Sequence, residues 1–339
     1  MEETKYCSYK NGELSRGCKL CVKGRKLVLF ITGICPRTCY FCPLSEQKFH
    51  KDVMYANERK ISDMQELVEE AKISGAKGVG ITGGDPLAKF ERTLEAIKLL
   101  KEEFGKHFHI HLYTSLNLVD EDKIRKLEEV GLDEIRFHLD FDDDKLWSKI
   151  KFETKMTKVM EVPVIPGKDL KSMVEFVKDD VSYINLNELE YADAKHNKLS
   201  EMKFEAKDPL SNAIKGSEEL AFEVMDKFPS VNIHYCTAML KNSVQFINRL
   251  SVRAQNVKHA FDIVKGPALI RGVVTGEDVN EVYENVSKLF TCAIDKNRVV
   301  CSKGNAKKHC QKLKKMGYKV EVVEELASYD NFEIESEEL

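Results

Sequence analysis

The stretch Leu27–Cys42 (LVLFITGICPRTCYFC) joins a short apolar segment to three closely spaced cysteines. Leu27–Ile34 has the composition of a buried strand, with glycines near both ends. Cys35, Cys39 and Cys42 follow in a C-x3-C-x2-C spacing that is too tight to brace a fold by disulfides. On a loop after a strand, three thiolates can turn toward one soft metal centre, and cysteine is the usual ligand of iron–sulfur clusters. A cubane has about four irons, so three cysteines leave one iron open for chemistry.

A second motif lies one helix downstream. Lys77–Asp85 (KGVGITGGD) has the pattern of a strand that runs into the turn Thr82–Pro86 (TGGDP). Glycines at a strand end let backbone carbonyls approach a ligand closely. A Gly-Gly-Asp-Pro sequence alone is often only a turn, but its place after the cysteine loop indicates a second part of one site.

Together these motifs resemble the radical S-adenosylmethionine (SAM) superfamily, including proteins related to pyruvate formate-lyase activating enzyme. Phe41 stands at the aromatic position of that family's C-x3-C-x-aromatic-C loop, and Gly83-Gly84-Asp85 stands where a Gly-Gly-Glu-Pro-like motif holds the methionine amino group. The resemblance implies that SAM chelates the open iron of a 4Fe–4S cluster. It further implies reductive cleavage to a 5′-deoxyadenosyl radical that abstracts hydrogen from a substrate. The sequence departs from the family in having Asp85 for the commoner glutamate. The alternatives for the three cysteines are a zinc knuckle and a set of reduced core thiols.

Composition limits the class of protein. The 339 residues are 42% hydrophobic and 32% charged, which describes a globular protein with a full core. The N-terminus (MEETKYCSYK) is polar, and no run approaches the roughly 18 apolar residues of a membrane helix. We therefore expect a cytoplasmic protein without a membrane partner. Ten cysteines in such a protein indicate metal chemistry in a reducing compartment.

Strand-like and helix-like segments alternate from Leu27 to Tyr191, giving six βα units. The resemblance implies an α/β fold, a partial (β/α)6 TIM-like barrel with its site at the carboxyl ends of the strands. A helix is expected near Lys145–Thr154. The expected domains are a Cys-rich N-terminal extension (1–26), the barrel (27–240), a small basic C-terminal α/β domain (241–326) and an acidic tail (327–339). For the tail, the two expectations are disorder and screening of the basic residues.

Four further cysteines form a second candidate set. Cys7, Cys18 and Cys21 precede the barrel, and Cys236 closes a strand-like segment on the same predicted rim as the cysteine loop. Three outcomes stay open for this set: an auxiliary iron–sulfur cluster, a structural zinc ion, or unliganded thiols.

Polar residues at the ends of later strands are candidates for contacts to SAM or substrate. Asn117 and Asp140 are the two that we expect to bind the cofactor, because small polar groups at a barrel mouth orient ligands. The remaining strand-end candidates are Thr114, His138, Asn187, Glu188 and Glu190.

The charge pattern bears on the substrate. Between Lys296 and Lys319 there are nine Lys/Arg and no acidic residue, whereas the following residues to Leu339 carry eight Asp/Glu and no Lys/Arg. A basic block is either a solvated face or a phosphate-binding patch. The leading hypothesis is a radical SAM enzyme that modifies RNA or tRNA. The alternatives are protein or peptide radical modification of the glycyl-radical activating type, and a non-catalytic Fe–S or zinc protein that binds nucleic acid. An electron donor of ferredoxin or flavodoxin type is the expected partner.

Overall fold

The computed structural model describes residues 1–209 and 211–339, and the chain divides into two compact units. Unit 1 comprises Met1–Lys72 and Ala76–Phe246, and unit 2 comprises Ile73–Gly75 and Ile247–Leu339. The boundary therefore falls six residues beyond the expected end of the barrel at 240.

Unit 1 alternates strands with helices along most of its length. Its elements are β1 (Glu2–Thr4), β2 (Ser8–Asn11), α1 (Arg16–Cys21), β3 (Lys26–Phe30), β4 (Met54–Ala56), β5 (Arg59–Ile61), α2 (Met64–Ile73), β6 (Gly78–Thr82), α3 (Phe90–Phe104), β7 (His109–Ser115), α4 (Glu121–Glu129), β8 (Glu134–His138), β9 (Thr157–Val164), α5 (Leu170–Val177), β10 (Tyr183–Glu188), α6 (Ser217–Lys227) and β11 (Ile233–Cys236). The helix expected near Lys145–Thr154 is only a 3₁₀ turn, Trp147–Lys151.

These strands form one sheet in the order β1-β2-β11-β10-β9-β8-β7-β6-β3-β4-β5. Every pairing from β3 through β6, β7, β8, β9 and β10 to β11 is parallel. Six crossovers thus link seven parallel strands, and the flanking strands β2 and β4 pair antiparallel. The predicted α/β class with a partial (β/α)6 barrel is confirmed. The N-terminal extension is not separate, because β2 extends the barrel sheet at β11.

Apolar residues on one face of the strands pack against the helices. Leu27, Ile81, Leu112 and Phe137 are fully buried in this layer, which follows from their alternation along strands covered by crossovers. Helices α4 and α5 begin where Asp120 and Asp169 accept a backbone N–H of the first turn.

The opposite face of the strands, which we call the lumen, is polar. Arg136 lies at its centre, with Nε 2.7 Å from Glu134 and Nη1 2.5 Å from Glu161. Nη1 also lies 3.3 Å from the Tyr113 hydroxyl. Barrel interiors are usually filled by branched apolar side chains, so these buried charges are a departure that needs a reason.

Helix α1 crosses the open side of the barrel, since β2 and β3 lie at opposite ends of the parallel strands. Ser15 caps α1 and also donates to Glu134 on β8, while the Gly17 N–H donates to the same carboxylate. A Cβ on Gly17 would lie 2.5 Å from Nη2 of Arg136. Only glycine therefore lets α1 approach the lumen so closely.

Unit 2 combines helices and strands within its described residues. Its elements are α7 (Phe246–Val257), β12 (Ile263–Lys265), β13 (Ala268–Thr275), α8 (Val279–Ser287), β14 (Cys292–Asp295), β15 (Arg298–Cys301), α9 (Lys303–Lys315), β16 (Lys319–Leu326) and β17 (Glu333–Glu338). The order β14-β15-β13-β16-β17 contains the βαββαβ arrangement of ferredoxin-like folds. The acidic tail is not disordered, because β17 pairs antiparallel with β16.

Candidate metal and cofactor site

A cavity of about 280 Å³ opens at the carboxyl ends of the parallel strands in unit 1. Cys35, Cys39 and Cys42 all line it, together with the turn Thr82–Gly84. Other polar lining residues are Ser115, His138 and Asn187, near the ends of β7, β8 and β10, and Glu161 inside β9. A larger cleft of 1160 Å³ lies beside α4 and the residues that precede β8. It is at the amino end of the strands, where barrel enzymes do not place their chemistry, so the smaller cavity is the candidate site.

The cysteine loop leaves β3 and folds back on itself, with the Cys42 N–H donating to the Cys39 carbonyl. The Arg37 N–H lies 3.4 Å from the sulfur of Cys35. Burial raises the pKa of all three cysteines, that of Cys35 to about 11. They are therefore neutral thiols near pH 7 until a cation replaces their protons, as metal ligation requires.

The two sequence motifs meet in space. The Gly84 N–H donates to the Thr32 carbonyl at 2.8 Å, and the Asp85 N–H donates to the Ile34 carbonyl at 2.9 Å. A Cβ on Gly84 would lie 2.5 Å from the Ile34 carbonyl oxygen, and one on Gly83 would lie 2.4 Å from that of Thr32. Both glycines are therefore required for the turn to lie against the chain that leads into the cysteine loop.

Asp85 lies beneath this turn and is fully buried. Its carboxylate accepts hydrogen bonds from the Leu87 N–H, the Thr114 hydroxyl, and both the N–H and hydroxyl of Ser115. Burial raises its pKa even though these bonds favour the charged form. Four donors use the accepting capacity of one carboxylate, so Asp85 fixes the glycine turn to the end of β7. Its predicted side-chain contact to a cofactor stays a prediction.

The remaining predicted contacts lie in two places. Phe41 lines the cavity and packs against the rings of His138 and Phe141. Asn117 and Asp140 instead line a neighbouring recess on the other side of the Cys39–Phe41 segment. Asp140 is paired there with Arg37 at 2.8 Å.

The floor of the cavity contains a residue, Glu161, that the search for polar groups at strand ends did not predict. Glu161, in the middle of β9, accepts from Arg136 and from the side-chain amides of Asn185 and Asn187. Polar residues recur at alternate positions of β7, β8 and β10 and so share one face, but Glu161 is flanked on that face of β9 by Val159 and Pro163, so its own strand gives a weaker signal. Of the other strand-end candidates, Glu188 is buried and accepts from the Ala238 N–H.

Thiols are the soft donors on the wall of this cavity. Among residues 1–209 and 211–339, no three His, Cys, Asp or Glu side chains lie close enough to bind a single metal ion. Three thiols on the wall of one cavity suit a larger soft centre, such as an iron–sulfur cluster.

The second cysteine set is partly brought together. Burial raises the pKa of Cys236, and Cys21 and Cys18 raise it further against the opposite effect of Lys241. Val22, which follows Cys21, packs in the same apolar cluster as Cys236. Cys18 differs in that Arg136 and His234 outweigh burial and lower its pKa to about 7. Cys7 is exposed at the β1–β2 turn, although its carbonyl accepts from Thr237, next to Cys236. A shared metal centre for the four stays a prediction.

Comparisons with known proteins agree with this site. Residues 29–163 match the sequence profile of the Radical SAM superfamily. A protein of Methanocaldococcus jannaschii, named as a candidate glycyl-radical enzyme activating enzyme, is 41% identical over 298 residues, 84% of this chain and 79% of that protein. This chain belongs to the radical SAM superfamily. The biotin synthase of Pasteurella multocida is 30% identical over 115 residues, 32% of each chain. The crystal structure of a methylornithine synthase aligns at 18% identity and a TM-score of 0.41, over 66% of this chain and 72% of that one.

The radical SAM protein is therefore an enzyme that uses a 4Fe–4S cluster and SAM, as the cysteine loop predicts. The comparisons support the alternative of protein radical modification better than the leading hypothesis of RNA modification. In the described part of the chain, no helix is both long enough and apolar enough to cross a bilayer.

The pKa of His138 makes the free energy of unfolding depend on pH. Burial, together with the nearby Arg37, lowers its pKa to about 3, whereas an unfolded histidine titrates near pH 6.5. Below that pH the unfolded chain takes up a proton that the folded chain does not, so stability is full above pH 6.5 and falls as pH falls. From pH 7 to 5.5 the wild type should lose about 1 kcal/mol more than His138→Gln, measured by urea unfolding. Equal losses in both proteins would show that His138 is protonated in the fold.

Proposed function

We propose that this radical SAM enzyme generates a radical on a protein partner by removing hydrogen from the Cα of a glycine. The observation that carries the proposal is the 41% identity to the M. jannaschii protein named as a candidate activating enzyme, over most of both chains. A one-electron donor of ferredoxin or flavodoxin type is the second partner. The ten free thiols of the structure fit the reducing cytoplasm that we propose as its location.

In this proposal the cavity residues divide into binding and positioning roles. Cys35, Cys39 and Cys42 hold the 4Fe–4S cluster, which supplies the open iron and the electron that cleave SAM. The backbone of Gly83 and Gly84 receives the methionine end of SAM. The bonds that hold the turn beside the cysteine loop support this role.

The floor of the cavity suits a peptide backbone. Glu161 and Asn187 present an acceptor and a side-chain amide there, joined to each other at 3.0 Å. A cavity of 280 Å³ lies below the roughly 300–1,000 Å³ of usual ligand pockets, which leaves a narrow space for substrate beside SAM. Glycine, with no side chain, is the residue whose Cα reaches furthest into such a space.

Fewer cationic side chains of the basic block (Lys296–Lys319) are available to bind RNA than the sequence suggests. Four of its nine cationic side chains already bond within unit 2: Lys296 to the Tyr329 carbonyl, Arg298 to Glu325, Lys307 to Glu337 and Lys319 to Glu321. Exposed pairs of this kind are weak, so they reduce the number of cations ready to contact phosphate but do not remove the patch.

The test measures transfer of deuterium from peptide to 5′-deoxyadenosine. The reduced enzyme is incubated with SAM and a peptide library that carries dideuterated glycine between random flanks. We expect 5′-deoxyadenosine heavier by one mass unit, because hydrogen leaves the glycine Cα. The matched library carries deuterated alanine at the same position and should give little label, since its methyl group keeps the Cα out of the narrow site.

SAM cleavage without label from the glycine library would contradict a peptide substrate. Tight binding of tRNA that weakens steeply with salt would then favour RNA. In that case, charge reversal at Lys308, Lys312, Lys314 and Lys315 should flatten the salt dependence while SAM cleavage continues.

A further inference from the structure

We propose that unit 1 holds a second iron–sulfur cluster in the lumen of the barrel, with Cys18, Cys21 and Cys236 as its protein ligands. This centre is distinct from the cysteine loop at the strand ends. Its support is geometric and does not depend on what the enzyme acts on.

Two of the thiols come from α1. Cys18 and Cys21 are three residues apart, and side chains at that spacing lie on one face of a helix. The sulfur of Cys18 lies 3.3 Å from Nδ2 of Asn185 on β10 and 3.6 Å from Nη2 of Arg136 on β8. Helix α1 therefore presents this pair of thiols to the lumen.

The third thiol comes from β11. Asn185 is the register partner of His234, and Asn187 is the register partner of Cys236. His234 and Cys236 are two residues apart, so their side chains lie on the same face of the sheet. Asn185, whose amide contacts the sulfur of Cys18, lies on this face too. Val22, which follows Cys21, packs in the same apolar cluster as Cys236. The three thiols thus converge from two distant parts of the chain.

Two further features bear on the lumen site. Nε2 of His234 lies 3.1 Å from the Ser8 hydroxyl, and the imidazole of this buried residue hydrogen-bonds the thiol of Cys18. The lumen also has room, because Cys21 is only half-buried and Val28, on the same face of β3 as the buried Lys26, is 47% exposed.

The donor set decides which metal centre fits. Soft thiolates select zinc or iron–sulfur clusters. No three side chains of the described residues lie close enough for one ion, which argues against zinc. A cubane takes its thiolates from farther apart, and the Arg136 guanidinium beside Cys18 would offset the negative charge of a thiolate-bound cluster. These observations assign a cluster to the lumen.

The test uses the full chain with Cys35→Ala, Cys39→Ala and Cys42→Ala, reconstituted anaerobically with iron and sulfide. This protein should retain about four irons per chain and give an EPR signal when dithionite reduces it. Adding Cys18→Ala and Cys21→Ala should remove both the iron and the signal. Adding Cys310→Ala instead, a half-buried thiol of unit 2, should change neither.

Circular dichroism and gel filtration establish which variants fold. Because Cys18 is buried and its loss can unfold the chain, Cys21→Ser alone is the second variant, and it should lower the iron content more than twofold. Bound zinc, no bound metal, or iron that survives the loss of Cys18 and Cys21 would each overturn the assignment. None of these measurements uses a substrate, so their failure is distinct from failure of the proposed function.

Discussion

Replacement of Cys35, Cys39 and Cys42 by alanine should reduce SAM cleavage to the level of a protein-free reaction. The three thiols line the cavity at the carboxyl ends of the strands, and we propose that they are the ligands of the catalytic cluster. Without thiolates there is no soft donor on this wall to hold iron. Each single alanine variant should have the same effect, measured as 5′-deoxyadenosine formed after anaerobic reconstitution and reduction.

The matched control is Cys310→Ala, whose half-buried thiol lies in unit 2. It should cleave SAM at the wild-type rate. Cleavage that persists in the triple alanine variant would mean that other residues bind the catalytic cluster. Loss of cleavage in the control would instead mean that any cysteine substitution disturbs the protein.

Local sequence patterns predicted the elements that carry the site. Helix α3 (Phe90–Phe104) is one of the helices of the predicted βα alternation, and its apolar spacing is long and regular. The two glycines were recognised from their position at a strand end, and the structure shows that each is needed for close backbone packing. The role of Asp85 was not predictable, because its donors lie on a different strand.

Elements that depend on distant partners were missed. The strands β4 and β5 have three residues each, too few to show a periodic pattern. The acidic residues of β17 looked like a free tail, since Glu and Asp are depleted in strands. In the structure this strand pairs with β16, and Lys307 of α9 lies 2.9 Å from Glu337. Long-range pairing and charge compensation of this kind leave no signal in a local window.

The buried charges of the lumen were also not predicted from local sequence, and their burial involves larger free energies than the pairing of an edge strand. In the sequence, nothing distinguishes Glu134, Arg136 and Glu161 from other charged residues of strands. Only the fold reveals that one guanidinium lies between two carboxylates, with Glu134 and Arg136 nearly inaccessible to water. Such an arrangement costs desolvation energy, which is tolerated when each charge keeps its partners.

Arg136→Leu should therefore destabilise unit 1 by about 3–5 kcal/mol, measured by urea unfolding at pH 7. The substitution keeps apolar bulk but leaves the carboxylates of Glu134 and Glu161 without their counter-ion. Arg125→Leu is the matched control, because Arg125 pairs with Asp122 and Glu129 on the exposed surface of α4. Exposed ion pairs contribute little, so this variant should unfold like the wild type.

A further variant separates charge from packing. Adding Glu134→Gln and Glu161→Gln to Arg136→Leu removes the unpaired carboxylate charges. The triple variant should recover much of the lost stability, because amides are less costly to bury than unpaired carboxylates. If the triple variant is no more stable than Arg136→Leu, the guanidinium acts through its contacts with Tyr113 and α1 instead.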